Sequence, residues 1–519
     1  MNNIMNALKS EIANTTLTNT ENGAVGYKRQ ESDLVTFFFA VGSMRNWPED
    51  KIVDEFRKAY AENPVLAMRM LFYVRDVRGG IGERRTFRAI LASLNDSVFE
   101  KLVKLVPEYG RWDDLVPFLA KRDAKFDIVH RLMSDQLADD LQNMSQKKPI
   151  SLLAKWMPSA SKVSKDKVQY ARNFYNAAHW TEKKYRKTLS MLRAYLRVVE
   201  CDMCAQNWGE INYSAVPSKA NLNYSKAFMR HDTERRTEFL ESVKKGEKKL
   251  NVSALMPYDI VHAYGFVGSR PNPDDSLEVA WQEYSKSCGE LSPAIVVRDG
   301  SGSMTVKVGQ NAQTTALEVA TSLAILMSEH LPDGFKDKFI TFSKNPQFVD
   351  LSNNKSLVDK LQHCYAHDEC ENTDVEKVMD LVLSVVVKNS MPQDQIPPVV
   401  IISDMEFDSA SSDRYAYYRM TGMSEEEQKT VAVEEQKTLF ETISDKWQKA
   451  GYAFPKIVFW NVNSRTNTVP LQTNENGLVL VSGFSPAVFG MVERNGSPLD
   501  IIAATVMAKR YDAVSEVLD

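Results

Sequence analysis

From Asp33 to about Lys249, apolar residues recur at intervals of three and four, the spacing that places a stripe along one side of a helix. The runs ESDLVTFFFAVGSM, PEDKIVDEFRKAYAEN, PVLAMRMLFYVRDV, ERRTFRAILASL, DSVFEKLVKLVPEYG and DIVHRLMSDQLADDLQNM each read as an amphipathic helix. Pro48 and Pro64 open helices, Gly79 and Gly80 interrupt one pair, and Gly110 with Trp112 closes another. Short helices in series, none able to bury its stripe alone, predict a helical solenoid, although no clean period marks it. Beyond the turn-rich stretch SRPNPDDS, Ser269 to Ser276, short apolar runs alternate with helices. SPAIVVRD, KFITFS, QFVDL, PPVVIISD, KIVFWNV and GLVLVSGF read as strands; TTALEVATSLAILMSEH, DVEKVMDLVLSVVVKN and KTLFETISDKWQKAG read as helices. Continuous apolar strands spaced by helices predict a parallel sheet covered on both faces, a doubly wound α/β unit. Ligands of such sheets bind at the carboxyl ends of the strands.

A chain of 519 residues exceeds what one core usually supports, so several folding units are expected. The pattern divides it into an N-terminal extension over 1–30, an α-helical domain of HEAT-like repeats over 31–275 and an α/β domain over 290–519. The net charge of −4 conceals a division. Residues 1 to 290 carry 44 Lys and Arg against 37 Asp and Glu, whereas 291 to 519 carry 20 against 31. The two parts are therefore expected to meet different partners. No window approaches the roughly 20 apolar residues of a membrane span, and the polar N-terminus lacks an apolar signal core. Five cysteines without a dense framework fit a reducing compartment. A soluble, cytoplasmic protein with no membrane partner is expected.

The candidate chemistry lies behind the strands. AIVVRDGSGSM places Asp299, Ser301 and Ser303 in the turn after the first strand of the α/β domain, ENTDVEKVMDLV puts Thr373 at a helix start, and VVIISDMEFD puts Asp404 at a central strand's end. Hydroxyls and carboxylates converging on one sheet edge suit Mg²⁺, a hard ion that prefers oxygen donors and keeps part of its water. DGSGS alone would equally serve as a tight polar turn. The ordered set D-x-S-x-S, Thr, Asp resembles the metal-ion-dependent adhesion site of von Willebrand factor A domains. The resemblance implies that Ser301, Ser303 and Thr373 bind Mg²⁺, or Mn²⁺, directly. It implies that Asp299 and Asp404 act through water or switch, and that a partner's carboxylate completes the shell.

The segments YVRDVRGGIGERRTF, VPEYGRWDD and LLAKWMPS, together with such a domain, resemble the Ro autoantigen and TROVE-module proteins. They are more similar still to an uncharacterised family of phages, giant viruses and plants. The Ro resemblance implies a ring of helical repeats closed against the A domain and a hold on structured, misfolded or single-stranded RNA, as in a ribonucleoprotein. The residues have physics for that role. Residues 147 to 249 hold 22 Lys and Arg against 10 Asp and Glu, with ten aromatic residues from Trp156 to Tyr224 interleaved. Lys183, Lys184, Arg186 and Lys187 are candidate phosphate contacts, and so are Arg78, Arg84 and Arg85 if the GGIGERR loop leaves amides open. Solvated basic helix faces and core aromatics remain the plain alternative.

Other signals are weaker. Cys201 and Cys204 form a single C-x-x-C, expected to be buried thiols rather than a zinc site; His363, Cys364, His367 and Cys370 cluster before Thr373. The stretch from Ser411 to Lys437 reads as an insertion beside the metal edge, with Tyr415, Tyr417 and Tyr418 available for contacts. No catalytic set emerges, so no enzyme is expected. The alternatives are a protein-binding adaptor or assembly component that uses the metal site and, less favoured, a metal-dependent phosphoester hydrolase in which Asp404 and Glu406 form an acid/base pair.

Overall fold

The computed structural model describes residues 17–20, 25–160, 164–265, 270–309, 312–342, 346–367, 374–407, 439–466 and 478–518. The chain is mostly helical and carries one six-stranded mixed sheet. It divides into two compact units, each discontinuous in sequence. One comprises Met1–Ala67 with Leu255–Val506, the other Met68–Ala254 with Met507–Asp519. The boundaries expected from composition were contiguous, whereas these units exchange segments at both ends of the chain.

In the first unit, β1 (Leu17–Asn19) and β2 (Val25–Tyr27) form a small antiparallel pair. The main sheet consists of β3 (Ile295–Asp299), β4 (Lys338–Phe342), β5 (Gln347–Asp350), β6 (Val399–Ser403), β7 (Ile457–Asn461) and β8 (Leu478–Ser482). Its order is β5-β4-β3-β6-β7-β8. All pairings are parallel except that between β4 and β5. The antiparallel edge follows from spacing: residues 343–346 are too few for the crossover that a parallel neighbour requires. β6, β7 and β8 are buried along their whole length, which explains their unbroken apolar sequence.

The helix Ala316–Glu329 packs on β3, β6 and β4. A reciprocal cap starts it: Thr315 Oγ1 accepts from the Glu318 amide at 3.2 Å, and the Glu318 carboxylate accepts from the Thr315 amide at 2.7 Å. The helix Asp33–Ala40 packs on β8, with every residue from Leu34 onward buried. Asn461 at the end of β7 donates its side-chain amide to the Phe39 carbonyl at 2.9 Å, which ties this early helix to the carboxyl edge of the sheet.

The second unit contains the helices of the basic region. Its framework is ionic as well as apolar. Arg75 and Asp114, both buried, form an ion pair in which Arg75 Nε donates to Asp114 Oδ2 at 2.8 Å; Arg88 Nε donates to the other carboxylate oxygen at 2.8 Å and the Arg111 amide to Oδ2 at 2.9 Å. The loop after the helix Pro64–Arg75 folds back on that helix. Ile81 and Glu83 donate their amides to the Tyr73 and Val74 carbonyls at 3.1 and 2.7 Å. A Cβ on Gly80 would lie 2.0 Å from the Tyr73 carbonyl, so the loop needs glycine there. The C-terminal segment joins the same unit: Arg510 and Tyr511 hydrogen-bond the buried Asp76 carboxylate, and Asp512 pairs with Arg69 at 3.0 Å. Among the described residues, no helix is long and apolar enough to cross a membrane.

Candidate metal centre

β3 and β6 are hydrogen-bonded neighbours, so the turns that follow them open on the same sheet edge. Asp299 ends β3, and Asp404 follows Ser403, the last residue of β6. Both carboxylates are fully buried. Ser301 donates its amide to Asp299 at 2.9 Å, and the Ser301 and Ser303 hydroxyl oxygens lie 2.9 Å apart. The Ser303 hydroxyl favours the ionised form of the Asp404 carboxylate, which relates the two turns electrostatically. Four of the five residues expected from sequence are thus gathered at one edge. Thr373 lies outside the described residues; its neighbour Asp374 caps the helix Val375–Lys388 by accepting the Lys377 amide at 3.2 Å.

The electrostatics follow from crowding two acids in a dry place. Burial, and then the charge of Asp404, push the Asp299 carboxyl well above the usual carboxylate range. Burial also raises Asp404, opposed mainly by the Arg465 guanidinium. Two adjacent buried carboxylates with hydroxyl oxygens beside them form a donor set that a hard divalent cation would satisfy. The residues fit Mg²⁺ in that sense. Among the described residues, no three His, Cys, Asp or Glu side chains converge as a cage, so a metal here would depend on the hydroxyls.

Ser403, Met405 and Arg465 were not evident from sequence, and Glu406 has a different role from the one its position suggests. Ser403 donates to Asp299 at 2.6 Å and accepts the Met405 amide at 2.9 Å, which fixes the carboxylate and the turn together. Met405 has φ of 63°, a left-handed backbone rare for a residue with a side chain and common at functional turns. Glu406, fully buried, accepts the amides of Arg465 and Thr466 at 2.7 and 2.9 Å as well as the Thr466 hydroxyl. It anchors the loop after β7. That loop delivers Arg465, whose Nη1 lies 2.9 Å from Asp404 Oδ2.

The remaining candidates are distributed differently. Lys183, Lys184, Arg186 and Lys187 are all exposed on the helix Glu182–Tyr195, whose Tyr185, Thr188, Leu189 and Leu192 face inward. Lys184 lies over the Trp180 ring at 4.6 Å, and Arg186 makes an exposed pair with Glu182 at 3.7 Å. Arg78 is exposed and bonded to the Glu108 carbonyl, Arg84 sits 3.5 Å from Asp113, and Arg85 is half-buried. With the Ile81 and Glu83 amides used internally, the glycine loop is less open to phosphate than its sequence implies. Among the aromatic residues of the basic region, Phe174, Tyr185 and Tyr213 are core, Trp208 stacks on His231 at 4.4 Å, and Tyr195 is exposed.

Cys201 and Cys204 are exposed rather than buried, because the short helix Val199–Cys204 turns only Val199 inward. Cys364 is buried, the His363 and His367 rings stack at 4.6 Å, and Cys370 lies outside the described residues. So does the segment from Ser411 to Lys437, with Tyr415, Tyr417 and Tyr418.

Comparison with known proteins gives three matches. Residues 293–500, which contain the whole candidate centre, match a domain of unknown function, DUF7788. Residues 20–97 and 163–289 match a second domain of unknown function, DUF2828. The chain is also 28% identical over 509 residues to uncharacterized protein L728 of Acanthamoeba polyphaga mimivirus, covering 90% of this chain and 82% of that protein. These matches relate the chain to a set of uncharacterised proteins with a giant-virus member.

Proposed function

We propose that the protein is a non-catalytic, Ro-like recognition protein. Its sheet unit acts as a von Willebrand A-type domain with a Mg²⁺-dependent site for a carboxylate ligand, and its helical unit, HEAT-like in organisation, binds RNA. The observation that carries this reading is the meeting of Asp299, Ser301, Ser303 and Asp404 at the adjoining carboxyl ends of β3 and β6. Mg²⁺ held by Ser301, Ser303 and Thr373 would supply an electrophilic position for an incoming carboxylate, while Asp299 and Asp404 orient its water. The state of Glu406 favours recognition over hydrolysis. A carboxylate already accepting two amides and a hydroxyl is poorly placed to take a proton from water.

RNA binding rests on the four exposed cations of the helix Glu182–Tyr195. Contacts of this kind neutralise phosphates and release counterions, which makes affinity fall with salt. Changing Lys183, Lys184, Arg186 and Lys187 together to Glu is expected to abolish retention of single-stranded RNA at moderate salt. Replacing them with Gln is expected to lower the slope of log affinity against log salt by roughly 3. Filter binding or fluorescence anisotropy across a salt series measures both. Salt-insensitive binding, or none by the unaltered protein, rejects the RNA assignment and leaves the adaptor alternative, in which the metal site captures a protein and the helical unit is scaffold.

A further inference from the structure

We infer that Arg465 is a built-in counter-cation of the metal centre, which competes with a divalent ion for Asp404. The inference rests on the metal reading above and assigns it a control element. Asp404 Oδ2 receives Arg465 Nη1 at 2.9 Å, yet the Arg465 side chain keeps about 22% of its surface exposed, so a route to solvent is open. The backbone of the same residue is fixed independently: Glu406 accepts the Arg465 and Thr466 amides, and the Ser464 hydroxyl approaches the same carboxylate oxygen at 3.3 Å. Two acids of one turn, Asp404 and Glu406, therefore hold one residue, the first by its side chain and the second by its main chain.

That division lets the guanidinium swing away without undoing the loop. A divalent ion whose water Asp404 orients and a guanidinium held on that same carboxylate would repel each other in a poorly solvated place, so one displaces the other. The consequence is a threshold: metal binds more weakly than the donor set alone would allow, because it must first break a charge-assisted hydrogen bond. The released guanidinium is then available beside the open metal position, where it would reinforce an anionic ligand.

Titration of the full chain with Mn²⁺, followed by calorimetry or paramagnetic resonance, tests this. Arg465→Gln removes the competing cation but keeps the backbone amides that Glu406 holds. It is expected to bind Mn²⁺ about ten- to a hundredfold more tightly than the unaltered protein, the worth of one hydrogen bond to a charged group. Arg465→Lys, which retains a cation, is expected to stay close to the unaltered protein, and circular dichroism confirms that both fold. A residue with a merely structural role would weaken binding when replaced. Equal or weaker binding by Arg465→Gln, with saturable binding by the unaltered chain, overturns the counter-cation role and leaves the metal reading intact. No saturable binding by any of the three proteins overturns both.

Discussion

Replacing Asp114 with Ala is expected to destabilise the helical unit by about 3–5 kcal/mol, the cost of leaving a buried charge without its partner. Arg75 has a side-chain exposure of only 2%, and Asp114 is its ion-pair partner at 2.8 Å. The same carboxylate receives Arg88 Nε and the Arg111 amide, so its loss strands several donors at once. Gly110 belongs to this arrangement, since a Cβ there would meet Asp114 Oδ2 at 2.4 Å. As a control, the exposed pair of Arg131 and Glu100 should contribute little, and Arg131→Ala should stay within about 0.5 kcal/mol. Urea unfolding followed by hydrogen exchange in the helical unit compares the two. A cost for Asp114→Ala no larger than the control contradicts the structural role given to the pair. YVRDVRGG and GRWDD, two of the segments that carry the Ro resemblance, meet through Arg75 and Asp114 in a structural ion pair.

Replacing both Ser301 and Ser303 with Ala is expected to weaken divalent-cation binding by more than about 100-fold. Loss of an outer-shell partner alone typically costs 10–100-fold, and here two proposed direct donors disappear. Stability should change little by comparison. The hydroxyls hydrogen-bond each other at 2.9 Å, and removing both partners of a hydrogen bond is far less costly than removing one; the two carboxylates keep the Ser403 hydroxyl, the Ser301 amide and the Arg465 guanidinium. Mn²⁺ titration and thermal unfolding separate the two effects. Retained affinity in the double variant shows that these serines do not bind the ion.

All six runs read from sequence form strands of one sheet, and β6, β7 and β8 were the most legible because strands buried on both faces carry unbroken apolar runs. The carboxyl-edge position of Asp299 and Asp404 followed from the same runs, since each acid terminates one. The partners of those acids were not legible. Arg465 meets Asp404 across 61 residues and Ser403 meets Asp299 across 104, and neither contact has a local spacing that a sequence pattern could register. Glu406 illustrates the same limit: its place two residues after Asp404 suggested an acid/base pair, whereas its geometry is that of a loop anchor.

Segment exchange between the units was hidden for a related reason. The helix Asp33–Ala40 has the same apolar texture as those after it, and contacts far along the chain, its packing on β8 and its pairing with Asn461, 422 residues away, place it with the sheet. The C-terminal residues are likewise drawn to the helical unit by Asp76, a single buried acid 434 residues from Arg510. The exposed cysteines reflect a different failure: a helix of six residues presents too little periodicity to decide which side is inward.

The most direct test of the metal centre is equilibrium binding of Mn²⁺ to the unaltered, chelator-treated full chain, with Mg²⁺ as competitor. The assignment predicts one saturable site per chain, displaced by Mg²⁺ and lost when Ser301 and Ser303 are both Ala. Absence of a saturable site, or one that survives the double replacement unchanged, contradicts it.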